Sequence, residues 1–196
     1  MPVEVVQIDE SQLSRYEQIP IRFWVASMFR VEAFANVLGG LCLVEERVDP
    51  PYVKDYDALL EGRESPSHWP SLFDLSHWGC FLALAGEQDI GGAAVAMDTP
   101  GVHMLEARSD LAVLWDIRVH PDARGHGIGR LLFRQAVDWA RGMGCHQLKV
   151  ETQNVNVGAC RFYARQGCRL GSIHRYAYAA CPEVAHEAML LWYLDL

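Results

Sequence analysis

The sequence predicts an α/β fold in which strands come first and a β-α-β-α-β-β order closes the chain. Three observations carry that expectation. Leu111–Val119 is an apolar run of the kind a buried strand shows. Arg124-Gly-His-Gly-Ile-Gly129 then sets three alternating glycines directly before an amphipathic helix. A second strand, 146–152, follows that helix. With 196 residues, 51% of them hydrophobic, a single domain spanning 1–196 is expected, able to bury about 70% of the surface of its unfolded chain.

Taken in order, 21–32 is open between strand and helix, whereas 41–48 alternates as a strand. Residues 49–78 hold Pro50, Pro51, Pro66 and Pro70 and read as loop with at most short helices. Segments 79–85 and 90–97 form a hairpin pattern across Gly86-Glu-Gln-Asp89, and Pro100-Gly101 marks a turn. In the helix after the glycine loop, Ile128, Leu131, Leu132, Gln135, Ala136, Trp139, Ala140 and Met143 recur with helical spacing. All but Gln135 suit an apolar stripe, which makes Trp139 a core residue. Arg130, Arg134, Asp138 and Arg141 take the opposite face, and Gly142 and Gly144 end the helix. Asn156-Val-Gly-Ala159 leads into Phe162-Tyr163, and two tail strands, 172–179 and 188–194, are separated by Cys181-Pro182. No internal repeat is present.

A strand feeding a glycine loop that opens a helix is a device for holding phosphates, because backbone N–H groups and the helix dipole converge on one anion. A Walker loop requires Gly-Lys-Ser/Thr, and here Arg130 follows Gly129 with no hydroxyl for magnesium. A dinucleotide fingerprint requires G-x-G-x-x-G; this loop is G-x-G-x-G, although Glu151 lies at about the 20-residue separation expected of its acidic partner. No second glycine loop supports that reading.

Arg124-x-x-Gly127-x-Gly129 resembles the R/Q-x-x-G-x-G/A motif with which GNAT N-acetyltransferases grip the pyrophosphate of coenzyme A. Asn156-x-x-Ala159-x-x-Phe162-Tyr163-x-x-x-Gly167 resembles the second motif of that superfamily, in order and at the right distance. Within it, 151–156, Phe162-Tyr163, Leu170-Gly171 and Leu191-Trp-Tyr-Leu194 resemble the streptothricin acetyltransferases, as does Tyr52-Val-Lys-Asp-Tyr56. The likeness is dense over 110–196 and thin before it. One departure is visible: Cys168 follows Gly167 where the family usually has Phe.

The resemblance implies a GNAT fold, a mixed, twisted sheet of about seven strands flanked by helices and splayed at the acetyl-CoA cleft, with the cofactor core over about 110–167. It implies that backbone groups of Ile117, Arg118 and Val119 pair with the pantetheine arm. The N–H groups of Arg124, Gly125, His126, Gly127, Ile128, Gly129 and Arg130 would hold the pyrophosphate. Asn156 would contact the pantetheine or the helix start; as a bare residue it is an N-cap. Tyr163 matches the tyrosine that protonates the coenzyme A thiolate; as a bare residue it would pack its ring in the core. Asp116 and Glu151 are the candidate bases, each able to take a proton through a water or only to orient the amine. Strand alternation places Asp116 with Leu114 and Arg118, opposite Trp115 and Ile117, and Glu151 with Lys149 and Gln153. His174 and Tyr176 are weaker candidates for the acceptor site.

Composition narrows the partners. No run of 18 uncharged apolar residues exists, and the Met1-Pro-Val-Glu start lacks a basic and apolar leader, so a cytoplasmic protein without a membrane span is expected. Six cysteines without C-x-x-C spacing read as reduced and mostly buried, and eight histidines without paired spacing predict no metal. A net charge of −8 argues against nucleic acid. Between Glu45 and Asp74 lie eight acids (45, 46, 49, 55, 57, 61, 64 and 74) against Arg47, Lys54 and Arg63, a solvated face or a rim that attracts a cationic amine. The expected partners are acetyl-CoA as co-substrate and a small amine such as streptothricin, with antibiotic resistance as the consequence and a homodimer left open. Acetylation of a protein or peptide, and a silent acyl-CoA sensor, stay open as alternatives. No cysteine has a nucleophile's setting, so direct attack by the amine in a ternary complex is expected.

Overall fold

The structure, a computed structural model, describes residues 2–35, 38–59 and 65–196. In chain order the elements begin with β1 (Val3–Ile8), α1 (Leu13–Glu17), β2 (Phe23–Ala33), β3 (Leu41–Lys54), α2 (Tyr56–Leu59) and α3 (Trp69–Leu72). The chain continues with β4 (Trp78–Ala85), β5 (Gln88–Met97), β6 (Leu111–Val119) and α4 (Ile128–Gly142). It ends with β7 (Gln147–Gln153), α5 (Val157–Arg165), β8 (Arg169–His174) and β9 (Met189–Asp195). A seven-stranded mixed sheet runs in the order β1-β4-β5-β6-β7-β9-β8, and β2 and β3 pair as a separate ribbon. The chain divides into two compact units, Met1–Arg22 with Asp55–Lys149 and Asp195–Leu196, and Phe23–Lys54 with Val150–Leu194.

In the first unit, β1, β4, β5 and β6 pair antiparallel. The hairpin expected across 86–89 is tighter than its sequence suggests, with Ala85 facing Gln88 across Gly86, whose φ of 64° only glycine adopts without strain. Glycines also set how closely the two faces are covered. A Cβ on Gly91 would lie 2.9 Å from the Leu132 side chain of α4, and one on Gly79 would lie 2.8 Å from the Trp139 ring. A Cβ on the next residue, Gly92, would point the other way and meet Tyr16 Cε2 at 2.4 Å. Consecutive strand residues face opposite sides, so the Gly91-Gly92 pair lets a helix and a tyrosine approach the same strand from both sides.

The helix buries Ile128, Leu132, Phe133, Ala136, Val137 and Ala140. Leu131 and Met143, assigned by spacing to the apolar stripe, are 40% and 43% exposed, and Trp139 is half-buried. The buried face is rotated by one position because a helix lying flat on a sheet covers a wider arc than a narrow seam, which admits Phe133 and Val137. On the opposite face of the sheet the segment expected to be loop contributes core. Trp69, Phe73 and Trp78 join Tyr16 and Trp115 in a chain of ring contacts with centroids 5.3–5.7 Å apart.

In the second unit the ambiguous 21–32 segment is the strand β2, paired antiparallel with β3. The expectation that strand ends at 48 is corrected, since β3 runs to Lys54 through Asp49-Pro50-Pro51. The register accounts for this: it jumps from Ser27↔Arg47 to Val25↔Tyr52, so the prolines sit in a bulge where no ladder N–H is required. The tail strand expected over 172–179 lies earlier, at Arg169–His174, and the chain turns from 175 onward. Asn154, 3% exposed, ties β2 to the start of β9. Its side chain donates to Phe29 O at 2.8 Å and accepts from Ala188 N at 2.8 Å, while its backbone N–H donates to Ala188 O at 3.0 Å.

Lys54 and Glu187 form a buried ion pair in this unit, with side chains 4% and 2% exposed. Removing one partner of such a pair leaves a charge without compensation in a dry site. Lys54→Met is expected to cost about 3–5 kcal/mol in urea unfolding, and Lys54→Met combined with Glu187→Leu should recover most of that loss. Gly92→Ala should cost about 1–3 kcal/mol, because the new methyl must displace the Tyr16 ring, and differential scanning calorimetry should show the lowered midpoint.

Candidate active site

The glycine loop closes at the N-terminus of α4. Gly125 and Gly127 have φ of 80° and 85°, and Gly127 is the N-cap residue with no side chain to offer the helix. The first turn of an α-helix leaves its N–H groups without intrahelical partners, and here the first backbone bond of the helix is Leu131 N–H to Gly127 O at 3.1 Å. The donors of Ile128, Gly129 and Arg130 therefore stand at a positive helix end, in a loop whose glycines open its backbone. A built Cβ at Gly125 or Gly127 meets nothing within 4 Å, so backbone conformation, rather than crowding within the protein, requires glycine there.

Side chains brace the loop from behind. Arg124 donates through Nε to Val119 O at 2.9 Å and through Nη2 to Arg22 O at 2.8 Å, so its guanidinium fastens the loop to β6 and to the chain before β2. Burial, and then the neighbouring Arg22 charge, lowers the Arg124 pKa. His126 contacts Arg124 O through Nδ1 at 2.9 Å.

Upstream of the loop, β6 carries a bulge. Asp116 faces Ala94 and Leu114 faces Val95, which leaves Trp115 as the extra residue. The bulge overturns the simple alternation that placed Asp116 with Leu114 and opposite Trp115. Successive β5 partners point to opposite faces, so Asp116 joins Trp115 on the Tyr16 side of the sheet. Arg118 shares that side, as its spacing from Asp116 predicts.

Both oxygens of Asp116 are engaged. Oδ1 accepts from the Tyr16 hydroxyl at 2.7 Å and from Arg118 Nε at 3.0 Å, and Oδ2 accepts from Arg118 Nη2 at 2.7 Å. Arg118 Nη1 donates further to Ile19 O at 3.1 Å and to Asp57 Oδ2 at 3.3 Å, and its guanidinium lies 5.4 Å from the Tyr16 ring centre. Burial disfavours the Arg118 charge, but the Asp116 carboxylate outweighs it and raises the pKa above the ordinary range. Burial first, and the Asp116 charge second, push the Tyr16 phenol well up, so its hydroxyl remains a donor. Asp57 is also raised, by burial, against the opposing pull of Arg118. Asp57 thus belongs to this network, while Glu61, Arg63 and Glu64 of the acidic segment lie outside the described residues.

The second unit holds the other sequence-predicted groups. Glu151, on β7, accepts at Oε1 from the Tyr178 hydroxyl at 2.5 Å and from Gln153 Nε2 at 3.2 Å. Gln153 Nε2 also donates to the Tyr178 oxygen at 2.9 Å, which closes a triangle of side chains. Asn156 caps α5: its Oδ1 accepts from Ala159 N at 3.0 Å. Tyr163 lies on that helix, 4% exposed, with its ring edge-on to Phe162 at 5.1 Å. His174 and Tyr176 are exposed, and His174 Nδ1 accepts from Tyr176 N at 3.2 Å.

The cysteines are all thiols, with Cys80, Cys145, Cys160 and Cys168 buried. Burial pushes Cys160 and Cys168 up to about 11 and, helped by the Asp116 charge, Cys80 up to about 12. None of these three is poised as a thiolate nucleophile. Among the described residues no group of His, Cys, Asp and Glu is arranged to hold a metal, and no helix is long and apolar enough to cross a membrane. Tyr16, Asp57 and Tyr178 are site-network residues that no motif marks: each reaches its partner across 27 or more positions of sequence.

Residues 42–168 match the acetyltransferase (GNAT) family. Streptothricin acetyltransferase A of Bacillus subtilis (strain 168) is 29% identical over 163 residues, which cover 83% of each chain. A streptothricin acetyltransferase of Streptomyces lavendulae is 31% identical over 177 residues, covering 86% of this chain and 82% of that one. A crystal structure from Bacillus anthracis str. Ames, in complex with acetyl coenzyme A, shares the fold at a TM-score of 0.77, with 24% identity and all of both chains covered.

Proposed function

The chain belongs to the acetyltransferase (GNAT) family, and on that premise we propose that it transfers an acetyl group from acetyl-CoA to a primary amine of streptothricin or a related cationic small molecule. The observation that carries the reading is the Gly125/Gly127 loop with its donors at the head of α4, the arrangement a pyrophosphate requires. The relatives that act on streptothricin match over more than four-fifths of this chain, which supports the acceptor class. The acidic balance of the chain suits a cationic acceptor, and antibiotic resistance would follow from its acetylation. The cytoplasm is the expected compartment, where acetyl-CoA is made and used.

In this reading the N–H groups from Gly125 to Arg130 hold the pyrophosphate, and Arg124 holds the loop in shape. The backbone of Ile117, Arg118 and Val119 pairs with the pantetheine arm, which leaves the Arg118 side chain to its buried network. Asn156 acts at the helix start, since its side-chain oxygen is spent on Ala159 N–H. Glu151 takes a proton from the acceptor ammonium, directly or through a water, and the neutral amine attacks the thioester carbonyl. The tetrahedral adduct expels the thiolate, Tyr163 supplies its proton, and the proton that the nitrogen loses on becoming an amide returns to the Tyr163 oxygen. A phenol can give up a proton to a sulfur gaining charge when the transfer is concerted with C–S cleavage. Asp116 serves structure: both its oxygens are held by Arg118 and Tyr16.

Free-thiol release from acetyl-CoA, followed against streptothricin, aminoglycosides, polyamines and short peptides, tests the assignment. Rapid release with streptothricin alone is expected; release with peptides alone would move the acceptor to proteins, and acetyl-CoA binding without release would indicate a sensor. Gly127→Val forces a β-branched residue toward φ 85° and should raise the acetyl-CoA KM by roughly tenfold or more, with the acceptor KM little changed. Tyr163→Phe keeps the buried ring and should lower kcat by about 10²–10⁴-fold at an unchanged thermal midpoint.

A further inference from the structure

We propose that the Arg22 side chain is a phosphate-binding group of the acetyl-CoA site, acting beside Arg124 at the glycine loop. The inference rests on the reading of that loop as the pyrophosphate holder and adds to it a residue outside both motifs. Arg22 immediately precedes β2, is exposed, and is brought to the loop through its backbone, since its carbonyl accepts from Arg124 Nη2 at 2.8 Å. The same guanidinium donates through Nε to Val119 O at 2.9 Å, so one side chain joins Arg22 to the end of β6. Gly125 and Gly127 come next in the chain, and the unspent N–H groups at the head of α4 follow them.

Two like charges meet at this point. Burial, and then the Arg22 charge, lower the Arg124 pKa, so the two guanidiniums are near enough to repel each other. Neither has a carboxylate partner among the described residues. Exposed arginines elsewhere do: Arg15 pairs with Asp89, Arg30 with Glu46 and Arg161 with Glu45. With 25 acidic residues against 17 basic ones, the chain does not lack acids to place here. The single acid between positions 120 and 130, Asp122, lies 3.8 Å from His120 Nδ1. Adjacent cations without a counter-charge cost stability in the free protein and favour an anion that settles beside them. The two arginines divide the work. Arg124 spends two of its nitrogens on carbonyls, and so adds charge and holds the loop in shape. The Arg22 side chain makes no hydrogen bond among the described residues, which leaves its planar fork of donors for phosphate oxygens.

The test is equilibrium binding of coenzyme A, read by isothermal titration calorimetry at low and at high salt, for the parent chain, Arg22→Gln, Arg22→Lys and Gly127→Val. Arg22→Gln is expected to weaken coenzyme A by roughly tenfold at low salt, the worth of one hydrogen bond to a charged group. It should also flatten the salt dependence, because one contact that salt screens is gone. Arg22→Lys keeps the charge without the fork and should recover part of the affinity. Without coenzyme A, the thermal midpoint of Arg22→Gln should stay level or rise, since a like charge beside Arg124 is removed. If Gly127→Val weakens coenzyme A while Arg22→Gln matches the parent, the Arg22 role is overturned and the loop reading stands. If Gly127→Val binds coenzyme A as the parent does, the loop reading fails, and the role of Arg22 falls with it. Weak binding by Arg22→Gln with an unchanged salt dependence, or with a lowered midpoint, marks a bracing side chain and overturns the proposal as well.

Discussion

A guanidinium at 3% exposure is the constraint around which the first unit is organised. Removing an arginine charge from water costs several kcal/mol, and only close partners on most of its donors offset that cost. Arg118 finds them on three segments: Asp116 on its own strand, the Ile19 carbonyl just after α1, and Asp57 on α2. Tyr16 closes the set by donating to Asp116 and placing its ring beside the cation. This grouping is possible only because Gly92 leaves room for the tyrosine ring. One buried charge thus fixes the register of two short helices against the strand that leads into the glycine loop.

The loop follows the opposite rule. Where the network spends its donors, the head of α4 leaves them unspent, since Gly127 offers no capping side chain. Exposed N–H groups in this state cost little in water and gain most from an anion at the positive end of a helix. The rigidity such a site needs is supplied by Arg124, whose two carbonyl partners are Val119 and Arg22. An arginine that a motif comparison assigns to phosphate binding spends its side chain on the backbone, which keeps the glycines in their left-handed conformation without blocking the approach to them.

What the sequence made legible was local. The apolar run of β6, the glycine spacing, the extent of α4 and the Asn156 cap are each found where local spacing put them, although the buried face of α4 is rotated from the predicted stripe. Signals that depend on pairing partners were not legible. The bulge at Trp115 turns Asp116 to the other face, and no composition cue marks it. Prolines at 50 and 51 suggested the end of a strand, yet the strand continues because a bulge absorbs them. Trp69 and Phe73 looked like loop residues because their segment is too short for any period, although both pack in an aromatic cluster. Lys54–Glu187 and Tyr178–Glu151 join positions 133 and 27 apart, a distance over which a single sequence carries no correlation.

The two candidate carboxylates are separated by their partners. Asp116 is the counter-charge of the buried Arg118 guanidinium, and losing one partner of such a pair costs about 3–5 kcal/mol. Glu151 accepts hydrogen bonds from a phenol and an amide, Tyr178 and Gln153, which orient its carboxylate. Spacing and alternation rank the two carboxylates equally. The structure distinguishes them by what each touches: Asp116 a buried guanidinium and Tyr16, Glu151 the Tyr178 hydroxyl and the Gln153 amide.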